Sequence, residues 1–301
     1  YWGSKPRAKE LDFIPVSDTT LAFEQGDIDL TSAASDILSR YENKEEFKIV
    51  KAPAFWGYRM IFNMEKKPEF ADKNIRQAIG YGININELIE KVARGAAVPA
   101  SAGYLPIDHI WYNKDVKKYD FNIDKAKELL GDKKISFNLL VGNSKDEVRI
   151  GELIKLSLEK AGVNVNVKSV DMKTRDAAVK KKNYEVAIIG HGGWGQNPDS
   201  LRTIYSSMKA SDLVPTSDSI PGYSNDKINE LCKKQMLEMD AEKRKQIIFE
   251  LQEIISEELP MLPLYNTTEY TVYRPKVYDG WMNMFDHHCL THSKLSYLER
   301  N

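Results

Sequence analysis

Several groups of side chains in this sequence could do chemistry. Gly192-Gly193-Trp194-Gly195-Gln196-Asn197-Pro198-Asp199 sets an indole among glycines, followed by two amides and a carboxylate. Glycines let a ligand approach the backbone closely, and the indole offers a flat apolar face. The same residues also suit a Gly-Pro turn with Trp194 in a core. The Arg149 guanidinium, at the start of a helix, has the fork that clamps a carboxylate, or it is a solvated helix-start arginine. Trp56, Tyr58 and Arg59 share an apolar strand, and the two-residue period turns Tyr58 and Arg59 to opposite faces. At an edge such a strand could also pair with a peptide backbone. Asp286-His287-His288-Cys289 with His292 supplies ligands suited to nickel, copper or zinc. The spacing matches no standard zinc pattern, and a strand would point His287 and His288 apart. His191, beside the Trp194 loop, is better placed to meet a metal chelate, and His109 reads as a surface turn residue.

Enzyme signatures are missing. The chain has no His-Glu-x-x-His, no Gly-x-Ser-x-Gly and no phosphate loop. Cys289 has histidine neighbours but no third group to orient them as a nucleophile would need. A net charge of −1 argues against nucleic-acid binding, and Lys180 to Lys182 reads as a solvated helix end. The chain's 301 residues, 42% hydrophobic and 29% charged, suffice for about two globular domains at ~150 residues each. No apolar run approaches the ~18 residues of a membrane span. Cys232 and Cys289 are too few for a disulfide framework, and Cys232 falls on a helix face where a buried thiol is expected.

The elements that must position these groups are legible in part. Residues 10–16 read as a strand, followed by a short helix ending at Gly26 and a strand over 27–30. Residues 54–64 form an apolar, aromatic strand that ends at Lys66-Lys67-Pro68. Ile75, Ala78 and Ile79, then Leu88, Ile89 and Val92, stripe two helices. Asn84 and Glu87 cap the second of these, and Gly95 supplies its C-terminal turn. Strands over 135–141, 163–167 and 184–189 alternate with helices, the pattern of a parallel α/β layer. After a long loop over 206–223, two helices carry apolar stripes at Ile228, Leu231, Cys232 and at Ile247, Ile248, Leu251, Ile254. The tail from Met261 alternates aromatic and polar residues as strands and turns.

The order of residues carries a resemblance. Arg76-Gln77-Ala78, Asn84 with Glu87, and Val92 to Ala97 around Gly95 resemble a signature of the family 5 extracellular solute-binding proteins. Phe121 to Leu130 resembles the family's helix start, with Ile123 where a proline is usual. Glu258 to Tyr265 is similar to the strand that leads back to the first lobe. Members are capture subunits of ABC importers for dipeptides, oligopeptides and nickel chelates. The resemblance implies an α/β fold of the type II periplasmic-binding-protein kind, a pair of Venus-flytrap lobes. It assigns 1–65 to part of lobe I, 66–267 to lobe II and 268–301 to a return to lobe I, with lobe II complete and lobe I partial.

The resemblance also implies a function. A peptide or other small solute is captured between the lobes and passed to permease and ATPase subunits. The location is extracytoplasmic, either periplasmic or lipid-anchored through a segment outside this chain. Trp194, with Gln196, Asn197 and Asp199, corresponds to the family's pocket loop, whose acidic residue holds a peptide's ammonium group. Here an amide, Gln196 or Asn197, takes that neighbourhood, and Asp199 is the nearest carboxylate. No cofactor is implied, although nickel could be the cargo, with His191, His287, His288 and His292 as its ligands. A sensory or chaperone-like binding module would use the same fold. The sequence begins at a Tyr-Trp-Gly stretch that resembles an internal part of family members, so truncation and an open sheet edge in lobe I are expected.

Overall fold

The computed structural model describes residues 5–54, 56–192, 196–207, 220–282, 290–293 and 296–297. Along the chain come α1 (Thr19–Gln25), β1 (Leu30–Ala33), β2 (Lys48–Lys51), β3 (Trp56–Phe62), α2 (Lys73–Gly82), α3 (Ile85–Lys91), β4 (Ala97–Pro99) and α4 (Ile123–Leu130). There follow β5 (Ser136–Gly142), α5 (Lys145–Glu159), β6 (Asn164–Val170), α6 (Met172–Lys180), β7 (Val186–His191), α7 (Ser200–Tyr205), α8 (Asp226–Leu237), α9 (Ala241–Glu258), β8 (Met261–Thr267) and β9 (Tyr270–Tyr273).

These strands form two sheets over two separate cores. The larger sheet runs β4-β8-β3-β7-β5-β6. Its parallel part is the layer read from the sequence, since β5 pairs in parallel with both β6 and β7. Ser144 caps α5 through the Glu147 N–H, and Asp171 caps α6 through the Thr174 N–H. The antiparallel part, β3 with β7 and β8, and β4 with β8, was not legible from periodicity. Strands buried on both faces lose the polar alternation that would announce them. Met60, Phe62, Leu139, Val186, Ile188 and Leu264 are among those that fill this core.

α2 and α3 dock on the larger sheet as their apolar stripes require, with Ile75, Ile79 and Leu88 buried. Asp72 accepts from the Asn74 N–H and Asn84 from the Glu87 N–H, the caps that start the two helices. Gly95 takes φ +78° in the turn beyond α3.

The smaller sheet runs β1-β9-β2, with Phe23, Leu38, Tyr41 and Val272 as its core. Residues 10–16, read from sequence as a strand, form none. A strand needs a ladder partner, and Leu11, Phe13 and Ile14 stand out at 41%, 72% and 52% exposure. The following strand begins at Leu30, three residues after its expected start. β1 and β2 are the outer strands of this sheet among the described residues. A cavity of about 1100 Å³ lies against β1, between residues 7–16 and the segment from Val277 to Trp281.

Candidate functional site

The larger sheet has a rim where the carboxyl ends of β5 and β7 meet the start of β3 and the end of β8. Gly57 pairs with His191, and Trp56 with Thr267. Ligands of α/β sheets gather at such strand ends. Two residues apart on β3, Trp56 and Tyr58 meet edge-on at 4.9 Å between ring centroids. Tyr58 in turn meets Tyr265 of β8 edge-on at 5.6 Å, completing an aromatic wall. Two glycines make room for the wall. A Cβ on Gly190 would lie 2.5 Å from the Trp56 indole, and one on Gly57 would lie 2.2 Å from the Tyr265 carbonyl oxygen. The register shifts between Tyr58 and Arg59, and Arg59 turns into the core, where it donates to the Tyr104 hydroxyl.

A buried ion pair joins the strands of the parallel layer to their helices. Glu147 accepts from the Gly142 N–H at 2.7 Å and from the Arg175 guanidinium, which also reaches the Ile188 carbonyl at 3.3 Å. One carboxylate thereby ties the end of β5, the start of α5, α6 and β7 into one rigid frame. Burial pushes Tyr58 up to about 12, with the Glu147 and Asp146 carboxylates adding to the rise and Arg175 opposing it. Tyr265 is raised further by burial, then by Tyr58 and Asp146. Both phenols therefore keep their protons at neutral pH, available as donors and acceptors.

The loop after β7 is tied down. The Trp111 indole N–H donates to the Gln196 carbonyl at 3.1 Å, and Arg244 donates to the Asn197 side chain at 2.9 Å while stacking on the Trp111 ring. Arg202 grips Asp199 with two bonds, at 2.7 and 2.6 Å, and Gln235 adds a third. The Asn197 and Asp199 side chains thus bind their own loop to α7, α8 and α9. Trp194 lies outside the described residues. Arg149 stands exposed, 3.4 Å from Glu152 and near enough to Glu87 to help lower that carboxyl.

Of the candidate metal ligands, His191 ends β7 opposite Gly57 and His292 closes a single 3₁₀ turn, whereas His287, His288 and Cys289 lie outside the described residues. No group of three or more metal-ligating side chains converges among the described residues. His109 is buried, not the surface turn residue expected: its Nδ1 accepts from the Trp111 N–H, because this loop packs on α9 through Gln252 and Asn113.

The family model described as Bacterial extracellular solute-binding proteins, family 5 Middle, matches residues 1–212. The chain belongs to this family. Family 5 proteins are binding proteins of transporters, not enzymes. The chain is 22% identical over 290 residues to the dipeptide-binding protein of Escherichia coli K12, covering 92% of this chain and 53% of that relative. It superposes on the periplasmic binding protein DppA from Helicobacter pylori, solved with the peptide STSA, at a TM-score of 0.74 and 23% identity, over 93% of this chain and 55% of the other. For AppA from Clostridium difficile, titled a putative peptide-binding protein, the TM-score is 0.78 at 22% identity, over 91% and 57% of the two chains. These likenesses establish the type II periplasmic-binding-protein fold, and the chain spans about half the length of such relatives.

Sequence reasoning singles out Trp56 and Tyr58 of the aromatic wall but not Tyr265, nor the Glu147–Arg175 pair. Its sequence context marks Tyr265 only as part of the strand that resembles the family's return to the first lobe. The register of β3 against β8 would have revealed it, and that register needs the fold. Glu147 and Arg175 come from two different helices with no local pattern to join them.

Proposed function

We propose that the protein is the extracytoplasmic solute-binding component of an ABC importer, and that its solute is a peptide. The observation that supports this reading is the aromatic wall of Trp56, Tyr58 and Tyr265 on the sheet rim, in a family whose similar relatives carry peptide-binding names. A rim of this kind offers rings to apolar side chains and hydroxyls and strand ends to the peptide backbone. Capture proceeds by closure of two lobes on the solute, held closed by contacts that exist only in that state. The loaded protein then delivers the peptide to permease and ATPase subunits. It works either in the periplasm or lipid-anchored on the outer face of the cytoplasmic membrane.

Calorimetry tests the solute class. The protein is titrated with a pool of di- to pentapeptides and, separately, with Ni²⁺ plus histidine. Saturable heat with peptides, weakened in Trp56→Ala and Tyr58→Ala, is the expected result. Binding of the nickel–histidine chelate alone would overturn the peptide reading in favour of a metal-chelate importer.

A further inference from the structure

The chain leaves β7 at the rim. His191, the last residue of that strand, pairs with Gly57 beside Trp56 on β3. Gln196 follows five residues later, so chain length alone keeps it within about 18 Å of the strand end. Gly192, Gly193 and Gly195 fall in the interval, and glycine costs more entropy to order than any other residue. A binding site gains affinity when such ordering precedes the ligand, because the ligand then does not have to supply it.

Residues 196–199 are held from outside the loop. The Trp111 indole N–H reaches the Gln196 carbonyl at 3.1 Å, although the two residues lie 85 positions apart. α9 fixes Trp111 in turn. Gln252, 0% exposed, donates to the Trp111 carbonyl at 2.7 Å and accepts from the Asn113 N–H at 3.1 Å. Arg244, also on α9, donates to the Asn197 side chain at 2.9 Å and to Gln235 at 2.9 and 3.3 Å, and its guanidinium stacks on the Trp111 ring at 5.5 Å. Among the described residues it meets no carboxylate. Taking a guanidinium partly out of water is costly, and a carboxylate would offset that cost best. This half-buried charge goes instead to two amide oxygens and an indole face. Gln235, itself 2% exposed, carries the network on to Asp199, which Arg202 holds through two bonds.

We infer that Trp111 and Arg244 are positioning residues of the solute site. They fix residues 196–199 near the rim before the solute arrives and touch no solute themselves. The inference rests on the peptide reading of that rim. Both side chains act through the same stretch of backbone, so releasing it once removes most of what either contributes. Neither reads a side chain of the solute, so every peptide gains alike.

The test uses the whole 301-residue chain and three pools of di- to pentapeptides, apolar, acidic and basic, by calorimetry. Trp111→Phe keeps the ring under Arg244 and loses the N–H donor, and it should weaken each pool that binds about 3–10-fold. Arg244→Met should weaken each by roughly 10-fold, and Arg244→Lys should recover part of that loss. The double variant Trp111→Phe with Arg244→Met should lose about 10–30-fold, less than the product of the single losses. Melts by circular dichroism keep lost folding apart from lost binding. Lower melting temperatures with parental affinities would make both residues merely structural and overturn the inference while peptide binding stands. A loss confined to one pool would make the residue a solute contact and overturn it too, as would single losses that multiply in full. A parent that binds none of the pools would overturn the peptide reading and the inference with it.

Discussion

Arg76 offers the sharpest test of how the frame is held. Its side chain is 1% exposed, and its guanidinium fork donates to four backbone carbonyls. Two of these, Glu258 and Leu259, end α9, and two, Phe70 and Ala71, belong to the 3₁₀ turn before α2. Leu259 leaves α9 in the left-handed region at φ +45°, so the helix ends on a residue with a Cβ, and Arg76 takes the place of a C-terminal cap. Arg76→Met keeps the volume and removes every donor. Each bond to a charged group is worth about 1.5–3 kcal/mol, but these share one side chain and do not add. Loss of a buried charged partner costs about 3–5 kcal/mol in total. With about 2–4 °C per kcal/mol, Tm should fall by roughly 6–20 °C. Arg76→Lys keeps the charge without the fork and should fall between, at about 1–3 kcal/mol. Urea and thermal melts by circular dichroism measure both. An Arg76→Met protein within ~1 kcal/mol of the parent would refute the assignment, since the carbonyls would then be satisfied without it.

Gly57→Ala and Gly190→Ala should separate backbone from side-chain crowding: the first meets the fixed Tyr265 carbonyl and should lose about 1–3 kcal/mol or more in urea melts, while the second displaces the Trp56 indole and should chiefly weaken peptide binding. Cys232, fully buried and pushed up to about 12 by burial, should resist Ellman's reagent at pH 8 in a Cys289→Ser background until urea unfolds the chain. Glu257 is opposed by burial but lowered on balance by Lys117, Gln77 and Lys73. Its contribution to stability is thus present above the unfolded carboxyl value of 4.5 and lost as pH falls through the lower folded value. Urea midpoints taken from pH 6 to pH 3 should drop on the acid side, and Glu257→Gln should flatten part of that drop.

The helices and the parallel layer were legible because their signals are local. Asn84 announces a helix start in the sequence, and its side chain accepts the expected backbone N–H, whereas the helix expected to open at Arg149 begins at Lys145 behind the Ser144 cap. The positions of β3 and β8 were legible as apolar runs, but the antiparallel pairing of β3 with β7 and with β8 was not, since nothing local records partners more than a hundred residues away. The same distance hid the rim. Tyr58 and Tyr265 meet only through that pairing, and Glu147 and Arg175 meet only through the packing of α5 and α6 on the sheet. The carboxylate at Asp199 was visible as a residue type, whereas the two hydrogen bonds it accepts from Arg202 are a fact of geometry.

The central claim is that solute binds at the rim of the larger sheet, and the location of a bound peptide tests it most directly. Peptides bearing a benzophenone side chain are bound, irradiated and mapped by mass spectrometry. Labels should fall on residues 56–58, 142–149 and 265–267. Labels concentrated instead on residues 7–16 and 27–32, around the cavity beside β1, would contradict the account.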